Sequence, residues 1–268
     1  MDWLDVLRLC SQRIRDRVLP LLGSSGGGVE LGVGAGGDIT KRIDLAAEEA
    51  LINTLRDFDV SCTLISEESG VVKIGSYPSE FYVIADPVDG TTNATRGLPF
   101  AATSIAVSRG THLHGIETAL VLDLLRNITY TAQKGRGAFR NGRRIRPSSI
   151  SSLKEAVIGI DFNIFRRREL LNRLENLLKP VKYLRHLGAN ALEVCYVADG
   201  TMDMFIDLRG KLRITDIAAA YLILKEAGGF MITPSGEDVD APLGATQRVA
   251  FIAIANQTLY NLVRELML

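Results

Sequence analysis

Cysteine, aromatic rings, surplus charge and long apolar runs are all scarce in this sequence, and each scarcity removes a class of protein. The three cysteines, Cys10, Cys62 and Cys195, are odd in number, far apart and set among apolar neighbours. That excludes a disulfide framework or a cysteine zinc site and predicts reduced, buried thiols in a cytoplasmic protein. Lys and Arg number 31, as do Asp and Glu, so no basic surplus is available to displace counterions and no nucleic acid partner is expected. No apolar run approaches the roughly 18 residues that suggest a bilayer span, so no membrane partner is expected either. The apolar N-terminal stretch is broken by Arg8, Arg13, Arg15 and Arg17, with no small-residue cleavage site after it, which argues against a secretory signal. What is present, 47% apolar and 23% charged over 268 residues, is a globular balance sufficient for two domains or one large one.

Trp3, Leu7, Cys10, Ile14, Val18 and Leu21 recur at steps of three and four, which predicts a helix ended by Pro20 and Gly23. Residues 23–37 are so rich in glycine that a mobile loop is expected. Gly32, Gly34 and Gly37 satisfy GxGxxG, but glycine and serine precede them where a dinucleotide-binding turn needs a strand, so no nucleotide turn is assigned. A second amphipathic helix is expected from Arg42 to Phe58, with Asp44 in its first turn. Short β-like runs follow at 62–65, 81–85, 101–107, 116–122 and 128–132, and Asn141-Gly142 is a hairpin turn signal. Beyond about residue 150, strands at 156–160, 202–208, 230–233 and 249–254 are expected to alternate with helices at 166–178, 189–198, 214–227 and 257–268. Strands and helices intermix throughout, so layers of sheet and helix are expected.

The chemistry concentrates in Phe81-Tyr82-Val83-Ile84-Ala85-Asp86-Pro87-Val88-Asp89-Gly90-Thr91-Thr92-Asn93, an apolar strand leading without a polar break to two carboxylates. Pro87 biases Asp86 toward an extended backbone, so the two carboxylates and the Val88 carbonyl between them can converge on one point. Hard oxygens clustered in this way suit Mg²⁺. A plain turn would use the same residue types. Glu67 and Glu68 follow an apolar strand and could be solvated charges; Asp216 heads a helix and could be only a cap.

Together, Asp38-Ile39-Thr40-Lys41-Arg42-Ile43-Asp44, Ser66-Glu67-Glu68-Ser69, Asp86-Pro87-Val88-Asp89-Gly90-Thr91-Thr92-Asn93 and Thr215-Asp216-Ile217-Ala218-Ala219 resemble, in order, the motifs of the inositol monophosphatase and fructose-1,6-bisphosphatase superfamily. Gly34-Ala35-Gly36-Gly37 and Asn93-Ala94-Thr95-Arg96-Gly97 look like its archaeal-type dual-specificity branch. Two departures stand out. Ile214 and Thr215 precede Asp216 where many relatives place tryptophan, and Gly36-Gly37-Asp38 replaces the usual Asp-Gly-Thr-Pro, which puts a third, loop-supported metal site in doubt.

The resemblance implies an α+β fold, a layered αβαβα sandwich of the sugar phosphatase (inositol monophosphatase-like) type. It implies an N-terminal half, 1–148, with most metal ligands and a C-terminal half, 149–268, with Asp216 and substrate contacts, the two forming one continuous catalytic unit. The implied activity is Mg²⁺-dependent hydrolysis of a sugar or inositol phosphate monoester, fructose 1,6-bisphosphate or myo-inositol 1-phosphate, by a homodimer. Carried over by position, Glu67, Asp86, the Val88 carbonyl, Asp89 and Asp216 are metal ligands for two or three Mg²⁺ ions, with Mn²⁺ an alternative. Thr91, oriented by Asp44, would take a proton from a water that the ions activate for in-line attack. The N–H groups of Gly90, Thr91 and Thr92 would cradle phosphate at a helix start.

Arg185, Gly188, Ala189, Asn190 and Asp207 match substrate-contacting segments, and Arg209, Lys211 or Arg213 could meet a second phosphate. His186 is not expected to bind metal, because the implied site is all oxygen. Two other functions compete: a 3′-phosphoadenosine-type nucleotide phosphatase, disfavoured by the 6% aromatic content, and a family member that acts chiefly as a regulatory binding protein.

Overall fold

The computed structural model describes residues 2–37, 39–77, 79–163 and 167–267. The chain begins with helix α1 (Trp3–Val18), strands β1 (Glu30–Val33) and β2 (Ile39–Lys41), and helix α2 (Arg42–Asp57). Asp2 caps α1 by accepting the Leu4 N–H, and the helix buries Val6, Leu7, Cys10, Ile14 and Val18, the stripe that a 3.6-residue period lays on one face. On α2, Ile43, Ala47, Leu51 and Leu55 do the same.

The expectation of a mobile loop over 23–37 is corrected here. β1 pairs antiparallel with β2, and the hairpin tip is tied down by Ala35 and Gly36 N–H groups donating to the Glu68 and Glu67 carbonyls, both at 2.9 Å. Glycine there permits close approach to other backbone as well as freedom. The GxGxxG triplet spans this hairpin, with no strand-to-helix turn. Asp38 of the quoted motif lies outside the described residues.

Next come β3 (Cys62–Ser66), β4 (Gly70–Ile74), β5 (Tyr82–Asp89), the short helix α3 (Thr91–Arg96), β6 (Ala102–Ser108), β7 (Ile116–Asp123), β8 (Ile128–Gln133), β9 (Gly137–Arg140) and β10 (Arg143–Arg144). They form one eight-stranded sheet in the order β10-β9-β8-β7-β6-β5-β3-β4, antiparallel throughout except for β3 beside β5. The Asn141-Gly142 turn joins β9 to β10 with positive φ at both residues, 48° and 76°. β5 also runs further than expected. Its register slips between Asp86 and Asp89, a bulge that lets an inner strand accept Pro87 and turns the acidic end of the strand out of the regular ladder.

The second half holds β11 (Val157–Ile160), α4 (Arg167–Leu178), β12 (Tyr183–Arg185), α5 (Asn190–Ala198), β13 (Met204–Arg213), α6 (Ile214–Ala227), β14 (Phe230–Ile232), β15 (Arg248–Ile254) and α7 (Gln257–Met267). Its five-stranded sheet has the order β12-β11-β13-β15-β14. β4 and β12 have no counterpart in the expected elements. β4 alternates buried and exposed over only five residues, and β12 is three exposed residues, too short for a period-two signal.

Along β6 and β7 successive side chains serve opposite cores. Ile105, Val107, Leu120 and Leu122 pack with α1 and α2, whereas Ala102, Ala106, Ala119 and Val121 face α5 and α6. Helix α6 is buried almost all round because it lies between the two sheets, and Gly228, at φ 103°, ends it. With α4 and α7 packed together beyond the smaller sheet, the layers are α1/α2, large sheet, α5/α6, small sheet and α4/α7, the expected αβαβα sandwich. One hydrophobic core runs from the large sheet through α6 to α7, so it crosses residue 149 without a break. Cys10, Cys62 and Cys195 are buried free thiols.

Candidate active site

Two carboxylates are aimed by the same local device. Asp44 is the third residue of α2 and accepts the Lys41 N–H at 2.9 Å; Asp216 is the third residue of α6 and accepts the Arg213 N–H, also at 2.9 Å. This is the reach-back half of a capping box, so helix geometry alone sets where each side chain starts. Both are caps, as a bland view of Asp216 allows, but each also has a face turned to other partners. The second Asp44 oxygen accepts the Thr91 hydroxyl at 2.9 Å, and Thr91 Oγ also lies 3.1 Å from the Val88 carbonyl.

Asp86 sits at the β5 bulge, where one oxygen accepts the Val88 N–H at 3.0 Å. Glu67 follows the parallel neighbour β3. One carboxylate oxygen from each of Glu67, Asp86 and Asp216 lies within 4.8 Å of the others, although α6 and β3 are about 150 residues apart in the chain. Buried carboxylates held that close repel. Burial raises the Asp86 pKa well above its ordinary range, and the charges of Glu67, Asp89 and Asp216 push it further. Burial likewise raises Asp216, against the pull of the Arg213 N–H, and raises Asp44, against the Lys41 N–H and the Thr91 hydroxyl. Buried Asp86 and Asp216 and half-buried Glu67 converge as an all-oxygen donor set, which fits a hard divalent cation.

Asp89 is placed differently from the other implied ligands. Its oxygens accept the Asn190 N–H at 3.0 Å and the Ala191 N–H at 2.7 Å, docking the start of α5 onto the end of β5. Burial and the charge of Asp216 push it up to about 7 while these N–H groups pull down. Asp89 still lines the same cavity, of about 900 Å³, as Asp44, Glu67, Asp86, Val88, Gly90, Thr91, Thr92, Gly188 and Asp216.

Of the remaining expected substrate contacts, Arg213 lines this cavity, whereas Arg185, Ala189, Asn190, Asp207, Arg209 and Lys211 do not. Ala189 is buried before α5, the Asn190 backbone is engaged by Asp89, and exposed Arg185 donates to the neighbouring Leu184 carbonyl at 2.8 Å. Asp207 is fully buried, and Arg209 folds back over both its oxygens while also pairing with Asp161 at 2.7 Å. No carboxylate edge of Asp207 is therefore directed at the cavity.

Several cavity residues carried no assignment in the sequence, among them Lys41, Asn93 and Asn163. Lys41 stood inside a quoted motif without a role, and only the start of α2 beside the cavity gives it one. Asn93 donates to the Phe100 carbonyl at 2.8 Å and the Leu187 carbonyl at 2.7 Å, bracing α3 against segment 186–189. His186 faces the same space, its ring nitrogens 3.0 Å from the Ile160 carbonyl and 3.3 Å from Asn163 Oδ1. Segment 186–189 is held from behind by Glu193, completely buried, which accepts the Leu187 and Gly188 N–H groups. Glu193→Ala strands both donors, so a loss of about 1–3 kcal/mol in urea unfolding is expected. A loss below about 0.5 kcal/mol would mean that the segment is held by other contacts.

Comparisons with known proteins agree with the geometry. A family model described as the inositol monophosphatase family matches residues 17–267. The chain is 33% identical over 267 residues to a fructose-1,6-bisphosphatase/inositol-1-monophosphatase of Thermococcus kodakarensis, covering 99% of this chain and 97% of that one. It is 34% identical over 281 residues to a bifunctional NADP phosphatase/NAD kinase of Methanococcus maripaludis, covering 97% of this chain but 48% of that one. The crystal structure of an inositol monophosphatase-fructose 1,6 bisphosphatase superposes with a TM-score of 0.86 at 31% identity, over 99% of this chain and all of that one.

Proposed function

The chain belongs to the inositol monophosphatase family, and from that premise we propose that it is a Mg²⁺-dependent phosphatase of sugar or inositol phosphate monoesters, working as a cytoplasmic homodimer whose two halves form one catalytic unit. The observation that carries this is the convergence of Glu67, Asp86 and Asp216 within 4.8 Å beside the start of α3, where no side chain caps the helix. Those three carboxylates, with the Val88 carbonyl and Asp89, would hold two or three Mg²⁺ ions, or Mn²⁺ in their place. When bound, the ions supply Lewis acidity and positive charge at the phosphoryl oxygens.

The chain's own residues do the rest. Gly90, in the left-handed region at φ 86°, turns β5 into α3 so that the first N–H groups of that helix face the cavity and meet phosphate. Thr91 accepts a proton from the attacking water and passes its own hydroxyl proton to Asp44, 2.9 Å away. Lys41 adds a positive charge on the wall, to which His186, Leu187 and Gly188 also contribute.

Fructose 1,6-bisphosphate and myo-inositol 1-phosphate are the first substrates to test, because they are what the Thermococcus enzyme's name implies. NADP belongs in the same assay on the strength of the Methanococcus relative. Phosphate release is expected from at least one of the first two with Mg²⁺ and from neither in excess chelator. Release that survives chelation would overturn the metal mechanism; release from NADP alone would move the substrate class to nucleotides.

A further inference from the structure

Arg213 is a charged residue lining this cavity that the chemistry above does not use. It ends β13, immediately before α6, and is 5% exposed. Its Nη1 donates to Glu67 Oε1 at 2.6 Å and its Nη2 to the Gly36 carbonyl at 3.2 Å. Arg248 donates to the same carbonyl at 3.0 Å and to the Lys211 carbonyl at 2.7 Å, so the tip of the β1–β2 hairpin is gripped by two arginines. The Gly36 N–H returns to the Glu67 carbonyl at 2.9 Å. One guanidinium thus joins a carboxylate of the three-acid cluster to the backbone of a glycine-rich hairpin 177 residues away in the chain.

The approach is as close as glycine permits. A Cβ on Gly36 would stand 2.6 Å from Arg213 Nε and 3.0 Å from Cζ and Nη2. A guanidinium stays protonated at any working pH, so Glu67 faces a permanent positive charge. A divalent ion drawing on the same carboxylate meets that charge as a rival and as a repelling neighbour.

We propose that Arg213 is a built-in counter-cation and latch: it neutralises Glu67 and holds the hairpin tip down, and a divalent ion that takes Glu67 frees the guanidinium and loosens residues 34–37. The proposal rests on Glu67 being a metal ligand, as above. Arg213 acts through Glu67 and the hairpin, as a positioning residue.

The test uses Mn²⁺ alone, with calorimetric titration of the full chain and hydrogen exchange of the hairpin tip. Arg213→Gln removes the rival charge and is expected to bind Mn²⁺ about tenfold more tightly. Gly36→Ala displaces the guanidinium without deleting it and is expected to tighten binding about threefold, which keeps the test open if Arg213→Gln fails to fold. In the unaltered protein, saturating Mn²⁺ should speed exchange at Ala35 and Gly36; in Arg213→Gln, exchange there should be fast with or without the ion. Unchanged or weaker Mn²⁺ binding in both variants, or exchange in the unaltered protein that ignores Mn²⁺, would overturn the latch while leaving the metal site standing. An unaltered protein that binds no Mn²⁺ would overturn both.

Discussion

Asp86→Asn is expected to lower kcat/KM for the preferred phosphate ester by about a thousandfold and, in the same protein stripped of metal, to raise the melting temperature. The two effects have opposite signs because one group carries both. Asp86 is buried beside Glu67, Asp89 and Asp216, and burial followed by their charges lifts its pKa well above the ordinary 3.8. A carboxyl whose folded-state pKa lies above its unfolded value adds stability that is complete below the unfolded value and is lost as pH rises through the folded one. Metal-free protein should therefore lose stability from about pH 4 upward, most of all at neutral and alkaline pH. Asparagine keeps the oxygen that accepts the Val88 N–H but carries no charge, so it escapes that loss.

Each kcal/mol recovered raises the melting temperature of a chain this size by about 2–4 °C. The measurement is a pair of thermal melts in chelator, at pH 8 and pH 4.5. Asp86→Asn should melt higher than the unaltered protein at pH 8, with the gap closing at pH 4.5. A variant that melts lower at pH 8 would show that the cluster does not hold Asp86 in a repulsive field.

Thr91→Ala should cost about 10²- to 10⁴-fold in kcat, the range of a lost proton-transfer partner, with Mn²⁺ affinity within about twofold of the unaltered protein. Thr91 Oγ is 2.9 Å from Asp44, and Asp44 is itself fixed by the Lys41 N–H, so the pair is aligned before substrate arrives. Thr91→Ser keeps the hydroxyl and should stay within about tenfold. Asp44→Asn should lose about as much as Thr91→Ala, and the double variant no more than either single, because both remove one relay. Losses that simply multiply in the double variant would separate the two residues and end the relay. A loss confined to KM would make Thr91 a phosphate contact alone.

The sequence told most about features built from near neighbours. The stripes of α1 and α2 and the turn at Asn141-Gly142 are patterns of a few residues, and the structure has them within a residue or two. Asp44 and Asp216 were visible for the same reason, each an acidic residue at the start of an expected helix. β5 was legible as a strand but not in extent, since Pro87 reads as a stop unless a bulge accommodates it. The short β1–β2 hairpin was hidden because glycine-rich composition signals freedom, while the hydrogen bonds restraining it come from Glu67 and Glu68, outside the segment.

The substrate contacts fared least well. Arg209 and Asp207 look like a basic and an acidic group available to a ligand; two residues apart on β13, they satisfy each other and Asp161 in the interior. Nothing near Asp89 indicates that the start of α5, a hundred residues on, will occupy its oxygens.

What the sequence by itself determined is therefore the repertoire: which segments are helix or strand, and which carboxylates stand at their ends. Those follow from backbone periodicity, capping and burial preference, which act over a turn of helix or a pair of strands. The tertiary structure alone decided which charges meet: Glu67, Asp86 and Asp216 in one cluster, Asp89 on α5, and Arg213 on Glu67 across 146 residues. The reason is that electrostatic partners depend on distance in space, and only the stacking of two sheets around α6 brings these strand ends and helix starts to a common edge.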